Sequence, residues 1–233
     1  MTGHEIKIET ADGPFMAYLA VPEGNSPAPA VVVIQEIFGV NQNMRAIADD
    51  YAALGYIAIS PDLFWRQEPG IQLTDKTEAE WARAFELYKG FDVALGINDI
   101  QATIDKVRVH PHCTGKVGAV GFCLGGLLAY LTATRTNADA AVGYYGVGIE
   151  GHLDEAAKIT KPVLLHVAEL DQYCPPPAQA QLNSAFANSS TVKVEFYPGC
   201  DHAFSRIGGE HFDEAASKLA GERSQALFKK ALA

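Results

Sequence analysis

The stretch Gly121-Phe122-Cys123-Leu124-Gly125 decides how this sequence folds, because it joins two segments of different character. The apolar run 117–120 before it predicts a strand, and the leucine-rich, small-residue run 126–134 after it predicts a helix. Glycines on both sides of Cys123 allow the backbone to bend sharply and to hold one side chain above a sheet. A helix N-terminus beyond the turn favours a thiolate over a thiol.

Two interpretations of this turn are open on its own residues. In one, Cys123 is a buried and unreactive thiol in a glycine-rich turn. In the other, the turn resembles the nucleophile elbow of α/β-hydrolases, with a thiol where serine usually stands. The amide of Leu124 would then point to the place where an oxyanion forms.

The composition favours a folded enzyme-sized domain over other classes of protein. The chain has 233 residues, of which 48% are hydrophobic, so we expect one domain over residues 1–233 with a sizeable core. With 18 basic and 28 acidic residues the net charge is −10, which argues against a nucleic-acid or anionic-membrane partner. A small anionic substrate in a local basic pocket is still compatible with this charge.

Cysteine usage and the N-terminal segment indicate a reduced, cytoplasmic protein. Residues 1–9 are polar and carry no signal-peptide core, and no apolar stretch reaches the ~18 residues of a membrane span. The four cysteines lack C-x-x-C spacing, so we interpret them as thiols. The segment His110-Pro111-His112-Cys113 is followed by no second ligand cluster, and no metal is expected.

Strand and helix signals alternate along nearly the whole chain, which predicts a mostly parallel sheet with helices on both faces. The predicted strands are 5–9, 15–21, 30–34, 56–60, 116–121, 140–145, 163–168 and 192–197. The predicted helices are 43–54, 78–88, 92–107, 124–134, 177–187 and 213–232. Asp12-Gly13 is a hairpin signal between the first two strands, and residues 65–77 are predicted to be irregular.

The chain offers an acid and a histidine in the order that α/β-hydrolases use after the nucleophile. Asp171 follows the predicted strand 163–168, and His202 follows the strand 192–197. Because the carboxyl ends of parallel strands meet at one edge of a sheet, we predict that both side chains lie near Cys123 as a catalytic triad. His166 lies inside a strand and is interpreted as a core or interface histidine, and Asp201 as a turn residue.

The loop Gln35-Glu36-Ile37-Phe38-Gly39 follows the buried strand 30–34, where the fold takes its second oxyanion-hole amide. We predict that Ile37 supplies this amide together with Leu124. Two interpretations of Glu36 stay open: a helix-capping or solvated carboxylate, or a carboxylate that faces Cys123.

Five sequence blocks together resemble the dienelactone hydrolase (carboxymethylenebutenolidase) family, over nearly the whole chain. The blocks are 35–41 (QEIFGVN), 61–63 (PDL), 121–126 (GFCLGG), 143–146 (GYYG) and 202–206 (HAFSR). The resemblance implies an α/β-hydrolase fold and a cofactor-free monomer. It also implies hydrolysis of cyclic enol-lactones, of the dienelactone-to-maleylacetate type, in aromatic compound degradation. It makes Cys123 the nucleophile, His202 the base, Asp171 the orienting acid and Glu36 a switch carboxylate. Arg206 matches an arginine that binds the substrate carboxylate.

The chain also departs from the family pattern. Trp81 stands where a second substrate-binding arginine is expected, and Arg83 lies two residues further on, about 200° around a helix. Ala203 follows His202 where a hydroxyl residue is frequent. Phe38 and Tyr145, within matching blocks, are further candidate substrate contacts.

The expected reaction begins with Cys123 as a thiol beside Glu36. A substrate carboxylate that pairs with Arg206 displaces Glu36, which takes the thiol proton, and the thiolate attacks the lactone carbonyl. Water, activated by His202 or by the departing enolate, then hydrolyses the acyl-thioester. The alternatives are a broader ester or lactone hydrolase of the same family and a non-catalytic thiol sensor. Dinucleotide binding is excluded, because G-x-G-x-x-G spacing is lacking at this turn.

Overall fold

The computed structural model describes residues 3–24 and 26–233, in which helices and strands alternate as the sequence predicts. The chain divides into two compact units, Met1–Gly118 and Ala119–Ala233, and the strand that carries the elbow crosses this boundary. Among the described residues, no helix is long and apolar enough to cross a membrane. That residues 1–233 form one domain stays a prediction.

Over its described residues, the first unit contains four strands and three helices, and a fifth strand begins in it. The strands are β1 (His4–Ile8), β2 (Phe15–Ala20), β3 (Ala28–Ile34), β4 (Ile57–Pro61) and β5 (Cys113–Phe122). The helices are α1 (Gln42–Ala53), α2 (Glu78–Lys89) and α3 (Val93–Arg108). In the order β1-β2-β4-β3, β2 is antiparallel to both neighbours, and β3 runs parallel to β4.

Local sequence explains where these elements begin. Ala30–Ile34 of β3 and all of β4 are fully buried, as expected for apolar, β-branched runs inside a parallel sheet. The side chains of Asn41, Thr77 and Asp92 cap α1, α2 and α3 by accepting hydrogen bonds from amides of the first turn.

The second unit contains the remaining strands and helices. The helices are α4 (Leu124–Arg135), α5 (Pro176–Phe186) and α6 (Glu214–Ala231), with a 3₁₀ helix over Ile149–Lys158. The strands are β6 (Ala140–Tyr144), β7 (Val163–Ala168) and β8 (Val192–Tyr197), in the order β5-β6-β7-β8. Strands β6, β7 and β8 run parallel, and β7 pairs with β8 residue by residue from Val163 opposite Val192 to Ala168 opposite Tyr197.

The 3₁₀ helix is the element that the hydrophobic pattern does not predict. It is kinked at His152, and tertiary contacts hold it in place. The Tyr130 hydroxyl on α4 donates to the carbonyl of His152 (3.0 Å), and Arg135 makes a forked contact with Glu155. A segment held by side chains from another helix leaves little periodic signal of its own.

Candidate active site

Cys123 lies in a strained turn between β5 and α4. Its backbone has φ 57° and ψ −114°, a conformation that non-glycine residues rarely adopt. Its amide donates to the carbonyl of Tyr144 (3.1 Å), and its own carbonyl accepts from Gly126 (2.9 Å). Leu124 is the first residue of α4, so its amide is one of those without an acceptor inside the helix. The side chain of Cys123 is almost buried, with 9% exposed.

The glycines of the elbow are required by close backbone approaches. A Cβ at Gly121 would lie 1.9 Å from the carbonyl oxygen of Gly125. A Cβ at Gly126 would lie 2.5 Å from the carbonyl oxygen of Tyr144 and 2.7 Å from Cα of Gly146. Any larger residue at Gly121 or Gly126 would therefore push the elbow away from its neighbours.

His202 and Asp171 form a buried hydrogen-bonded pair on neighbouring loops. His202 Nδ1 lies 2.7 Å from Asp171 Oδ2, and Asp171 is 2% exposed. The other oxygen, Asp171 Oδ1, accepts from the amide of Tyr173 (2.8 Å). The amide of Leu170 also donates to the carbonyl of Cys200 (2.9 Å), which joins the loop of the acid to that of the histidine.

The surroundings of His202 stabilise its protonated form. Burial alone would lower the pKa of His202. A negative charge on Cys123 opposes this effect, as do the hydrogen bond that His202 donates to Asp171, the hydrogen bond with Cys123 and the charge of Asp171. Together they raise the pKa of His202 to about 10. The structure thus brings Cys123, His202 and Asp171 together as a contiguous set, with the imidazole between sulfur and carboxylate. Such a set can accept and return a proton at the thiol.

Aromatic side chains enclose His202 within the second unit. The rings of Tyr145 and Tyr173 pack edge-on against the imidazole at centroid distances of 5.1 and 4.8 Å. The Tyr145 hydroxyl lies 3.0 Å from Ser205 Oγ. Tyr145 (φ 39°) and Ala203 (φ 63°) are the other described non-glycine residues with positive φ, so all such strain lies at this site.

The loop after β3 is held by contacts with Leu63 and Ile71 of the same unit. The Gln35 side chain accepts from the amide of Leu63 (3.0 Å) and donates to the carbonyl of Glu36 (3.3 Å). A Cβ at Gly39 would lie 2.0 Å from the carbonyl oxygen of Ile71, so glycine is required there. Glu36 is only 1% exposed. It is therefore not a solvated residue, and the cap of α1 is Asn41 instead.

The other predicted substrate-binding residues have defined neighbours. Phe38 packs edge-on against Trp81 (5.0 Å), whose indole donates to the carbonyl of Asp75 (3.1 Å). Arg83 forms ion pairs with two surface carboxylates, those of Glu68 and Glu86.

Arg206 lies in the loop after His202 and is partly exposed. Its amide donates to the carbonyl of Ala203 (2.9 Å). The roles of all these residues in binding, and those of Ile37 and Leu124 as oxyanion donors, stay predictions.

The residues interpreted as structural occupy structural positions. His166 is fully buried and bonded through both ring nitrogens. Asp201 accepts from the amide of His202 (2.6 Å), as expected of a turn residue. All four cysteines are free thiols, and within residues 3–24 and 26–233 no cluster of three or more metal-ligating side chains occurs.

Sequence reasoning missed Tyr173, which contacts the site through both its amide and its ring. The signal was present, because an aspartate commonly accepts from the amide two residues further along the chain. It also missed Gln179 on α5, whose side chain donates to the carbonyls of Ala168, Glu169 and Cys174 and braces the loop of the acid.

Comparison with known proteins gives a consistent result. The model of the "Dienelactone hydrolase family" matches residues 15–232. A protein of Azospirillum brasilense, provisionally named a carboxymethylenebutenolidase, is 48% identical over 231 residues that cover 95% of each chain. The carboxymethylenebutenolidase of Pseudomonas putida is 38% identical, over 94% of this chain and 92% of its own.

Solved structures that resemble this chain are of the same kind as its sequence relatives. A crystal structure provisionally named a dienelactone hydrolase, from Klebsiella pneumoniae, superposes with a TM-score of 0.86 at 27% identity. The match covers 98% of both chains. An α/β hydrolase from Penicillium matches with a TM-score of 0.72 at 13% identity, which supports the fold alone.

Proposed function

Because this chain belongs to the dienelactone hydrolase family, and is therefore a hydrolase of carboxylic ester or lactone bonds, we propose that it opens a cyclic enol-lactone. The substrate class follows the names of its relatives and the sequence blocks shared with the family. The single observation that best supports hydrolysis is the buried set in which His202 lies between Cys123 and Asp171.

The proposed reaction proceeds through a covalent intermediate. The Cys123 thiolate attacks the lactone carbonyl, a carbon–sulfur bond forms, and the charge moves to the carbonyl oxygen. Leu124 and Ile37 supply the amides that stabilise this oxyanion. When the oxyanion collapses, the ring carbon–oxygen bond breaks and an enolate leaves. Where His202 holds the thiol proton, this proton passes to the departing enolate or alcohol oxygen, so the imidazole is neutral before water attacks. Water then attacks the acyl-thioester while His202 takes its proton, the carbon–sulfur bond breaks, and Cys123 leaves as a thiolate.

Two groups are candidates for accepting the thiol proton. The family resemblance assigns this step to Glu36, released when the substrate carboxylate binds. The pKa of His202, raised to about 10, favours an imidazolium beside a negatively charged Cys123 and supports a direct transfer to His202. We propose that Glu36 accepts the thiol proton when a carboxylate substrate binds and that His202 accepts it for neutral esters.

We propose that the substrate is a small lactone with a carboxylate. A protein of net charge −10 needs a local cation to bind an anion, and the planar guanidinium of Arg206 suits a two-point contact with a carboxylate. We assign the main role to Arg206 because the family resemblance matches it to a carboxylate-binding arginine. Arg83 forms ion pairs with the surface carboxylates of Glu68 and Glu86. A monomeric state and a cytoplasmic location belong to the same proposal.

The test compares a charged and a neutral substrate. Arg206→Ala should lower kcat/KM for a dienelactone by about 10- to 150-fold, from the loss of a charged hydrogen bond of about 1.5–3 kcal/mol. Hydrolysis of p-nitrophenyl acetate, which has no carboxylate, should change little. Arg83→Ala is the matched control and should affect neither substrate strongly. Equal losses on both substrates in Arg206→Ala would refute the carboxylate-binding role and favour a general thiol esterase.

A further inference from the structure

A buried polar network centred on His166 lies in the second unit. His166 Nδ1 lies 2.8 Å from the Tyr197 hydroxyl on β8, and Nε2 lies 3.0 Å from Ser224 Oγ on α6. Ser224 Oγ lies 2.7 Å from the hydroxyl of Tyr144, the last residue of β6. Three strands and a helix therefore meet at one set of side chains.

The partners determine where each proton lies. Ser224 donates to the carbonyl of Ala220 (2.9 Å), so its oxygen must accept from both Tyr144 and His166. His166 is therefore protonated on Nε2, and Nδ1 accepts from Tyr197. The Tyr197 oxygen in turn accepts from Arg223 Nη1 (3.1 Å). Every one of these polar groups has a partner, and this arrangement uses the neutral form of His166.

The pKa values agree with a neutral, fixed network. Burial, together with the charge of Arg223, lowers the pKa of His166 to about 3. Burial also raises the pKa of Tyr144 far above its usual value. Both groups therefore stay uncharged near neutral pH, as the hydrogen-bond pattern of the network requires.

One end of the network contacts the nucleophile elbow. The Tyr144 ring stacks on Phe122, the residue before Cys123, at a centroid distance of 4.8 Å. The Tyr144 carbonyl accepts from the amide of Cys123 (3.1 Å). A shift of Tyr144 would therefore also move Cys123, through the ring stacked on Phe122 and through the backbone hydrogen bond.

The other end contacts the histidine loop. The Tyr197 ring stacks on Phe204, two residues after His202, at 4.7 Å. The carbonyl of His166 accepts from the amide of Tyr145 (2.8 Å), whose ring packs on the imidazole of His202. His166 thus lies between the elements that carry the thiol and the imidazole.

We propose that Tyr144 and Tyr197, joined through His166 and Ser224, are positioning residues that set the distance between Cys123 and His202. The inference rests on the proposed function, since it assigns these residues a role in the reaction of that pair. A displacement of about 1 Å between reacting groups is enough to cost about 100-fold in rate, so small movements of either end are detectable.

The first test uses Tyr144→Phe and Tyr197→Phe, which remove one hydroxyl each and keep the stacked rings. We expect about a tenfold lower kcat for p-nitrophenyl acetate in each variant, with KM little changed. The pH at which iodoacetamide alkylation of Cys123 is half-maximal should rise, because the thiolate is less well paired with His202. The double variant should lose less than the product of the two single losses, because both act on one distance.

Tyr130→Phe is the matched control, because Tyr130 is also buried and its hydroxyl also donates one hydrogen bond, to His152. It should lower the unfolding temperature without moving the alkylation profile. If Tyr144→Phe and Tyr197→Phe behave like Tyr130→Phe, with lower stability but unchanged kcat and alkylation profile, the network is merely structural and the inference is wrong.

This outcome is distinct from failure of the proposed function. If Cys123 carries no acyl group during turnover, the proposed reaction fails, whatever the network variants show. Suppose that Cys123 is acylated while the network variants keep the wild-type kcat and the wild-type pH dependence of alkylation. The proposed reaction is then supported, and only the positioning role is refuted. Nitrogen chemical shifts of His166 should show a proton on Nε2 alone, and a proton on Nδ1 would overturn the network described here.

Discussion

Replacing Asp171 by asparagine changes the charge at the centre of the site while keeping the size of the side chain. Asp171 is 2% exposed, and its Oδ2 lies 2.7 Å from His202 Nδ1. Asparagine can still accept from the amide of Tyr173 through its oxygen, but its amide group then faces His202 with N–H groups in place of an acceptor. The variant should therefore fold and lose the charged hydrogen bond to the imidazole.

The size of the expected loss in kcat/KM follows from the hydrogen bond between His202 and Asp171. A hydrogen bond to a charged group contributes about 1.5–3 kcal/mol, which corresponds to about a 10- to 150-fold loss in kcat/KM. The loss exceeds this range if the imidazole also adopts the other tautomer. Since the carboxylate is one of the causes that raise the pKa of His202, the imidazolium of the variant should deprotonate at lower pH.

The assay combines steady-state hydrolysis of a dienelactone with the pH dependence of iodoacetamide alkylation at Cys123. Asp201→Asn is the matched control: Asp201 lies on the same loop as His202 and is partly exposed. Its carboxylate accepts from the backbone amide of His202 and lies 3.8 Å from Nδ1 of the exposed His211. It should stay within about threefold of wild type. The reasoning would be refuted by an Asp171→Asn variant that also stays within threefold and keeps the wild-type alkylation profile.

Two further predictions concern Glu36 and Glu155. Glu36→Gln should lower kcat for a carboxylate substrate by about 10²–10⁴-fold, the range of a lost general base, and a change below about threefold would remove Glu36 from the mechanism. The pKa of Glu155 is lowered to about 2, chiefly by its hydrogen bonds with Arg135, so its stabilising effect is present above pH 4.5 and is lost as the pH falls from 4.5 towards 2. Unfolding temperatures of wild type and Glu155→Gln should therefore differ at pH 7 and converge near pH 2, and a constant difference would contradict this.

The order of strands and helices was predictable because apolar runs and turn residues repeat along the chain. Strands β7 and β8 have the predicted bounds, 163–168 and 192–197, since both are short apolar-rich runs with clear ends. Strand β5 begins at Cys113 rather than at residue 116, because its first residues are partly exposed and carry no apolar signal. The 3₁₀ helix was missed because contacts from α4 hold it.

The spatial grouping of Cys123, Asp171 and His202 was also predictable, because each follows a strand whose carboxyl end must reach the same edge of a parallel sheet. The burial of Glu36 was not predictable, since an acidic residue after a strand is also compatible with a helix cap at the surface. The network around His166 could not be predicted either, because its members are far apart in the sequence. Ser224 and Tyr144 are 80 residues apart, and nothing local to either predicts their contact.

The most direct test of the proposed function is to identify the residue that carries an acyl group during turnover. Enzyme quenched in acid while it hydrolyses p-nitrophenyl acetate would be digested, and the acetylated peptide mapped by mass spectrometry. The account predicts a thioester on Cys123 that is absent in Cys123→Ala, together with loss of hydrolysis in that variant. Acetylation at Cys113, Cys174 or Cys200 that accompanies turnover, with activity retained in Cys123→Ala, would contradict it.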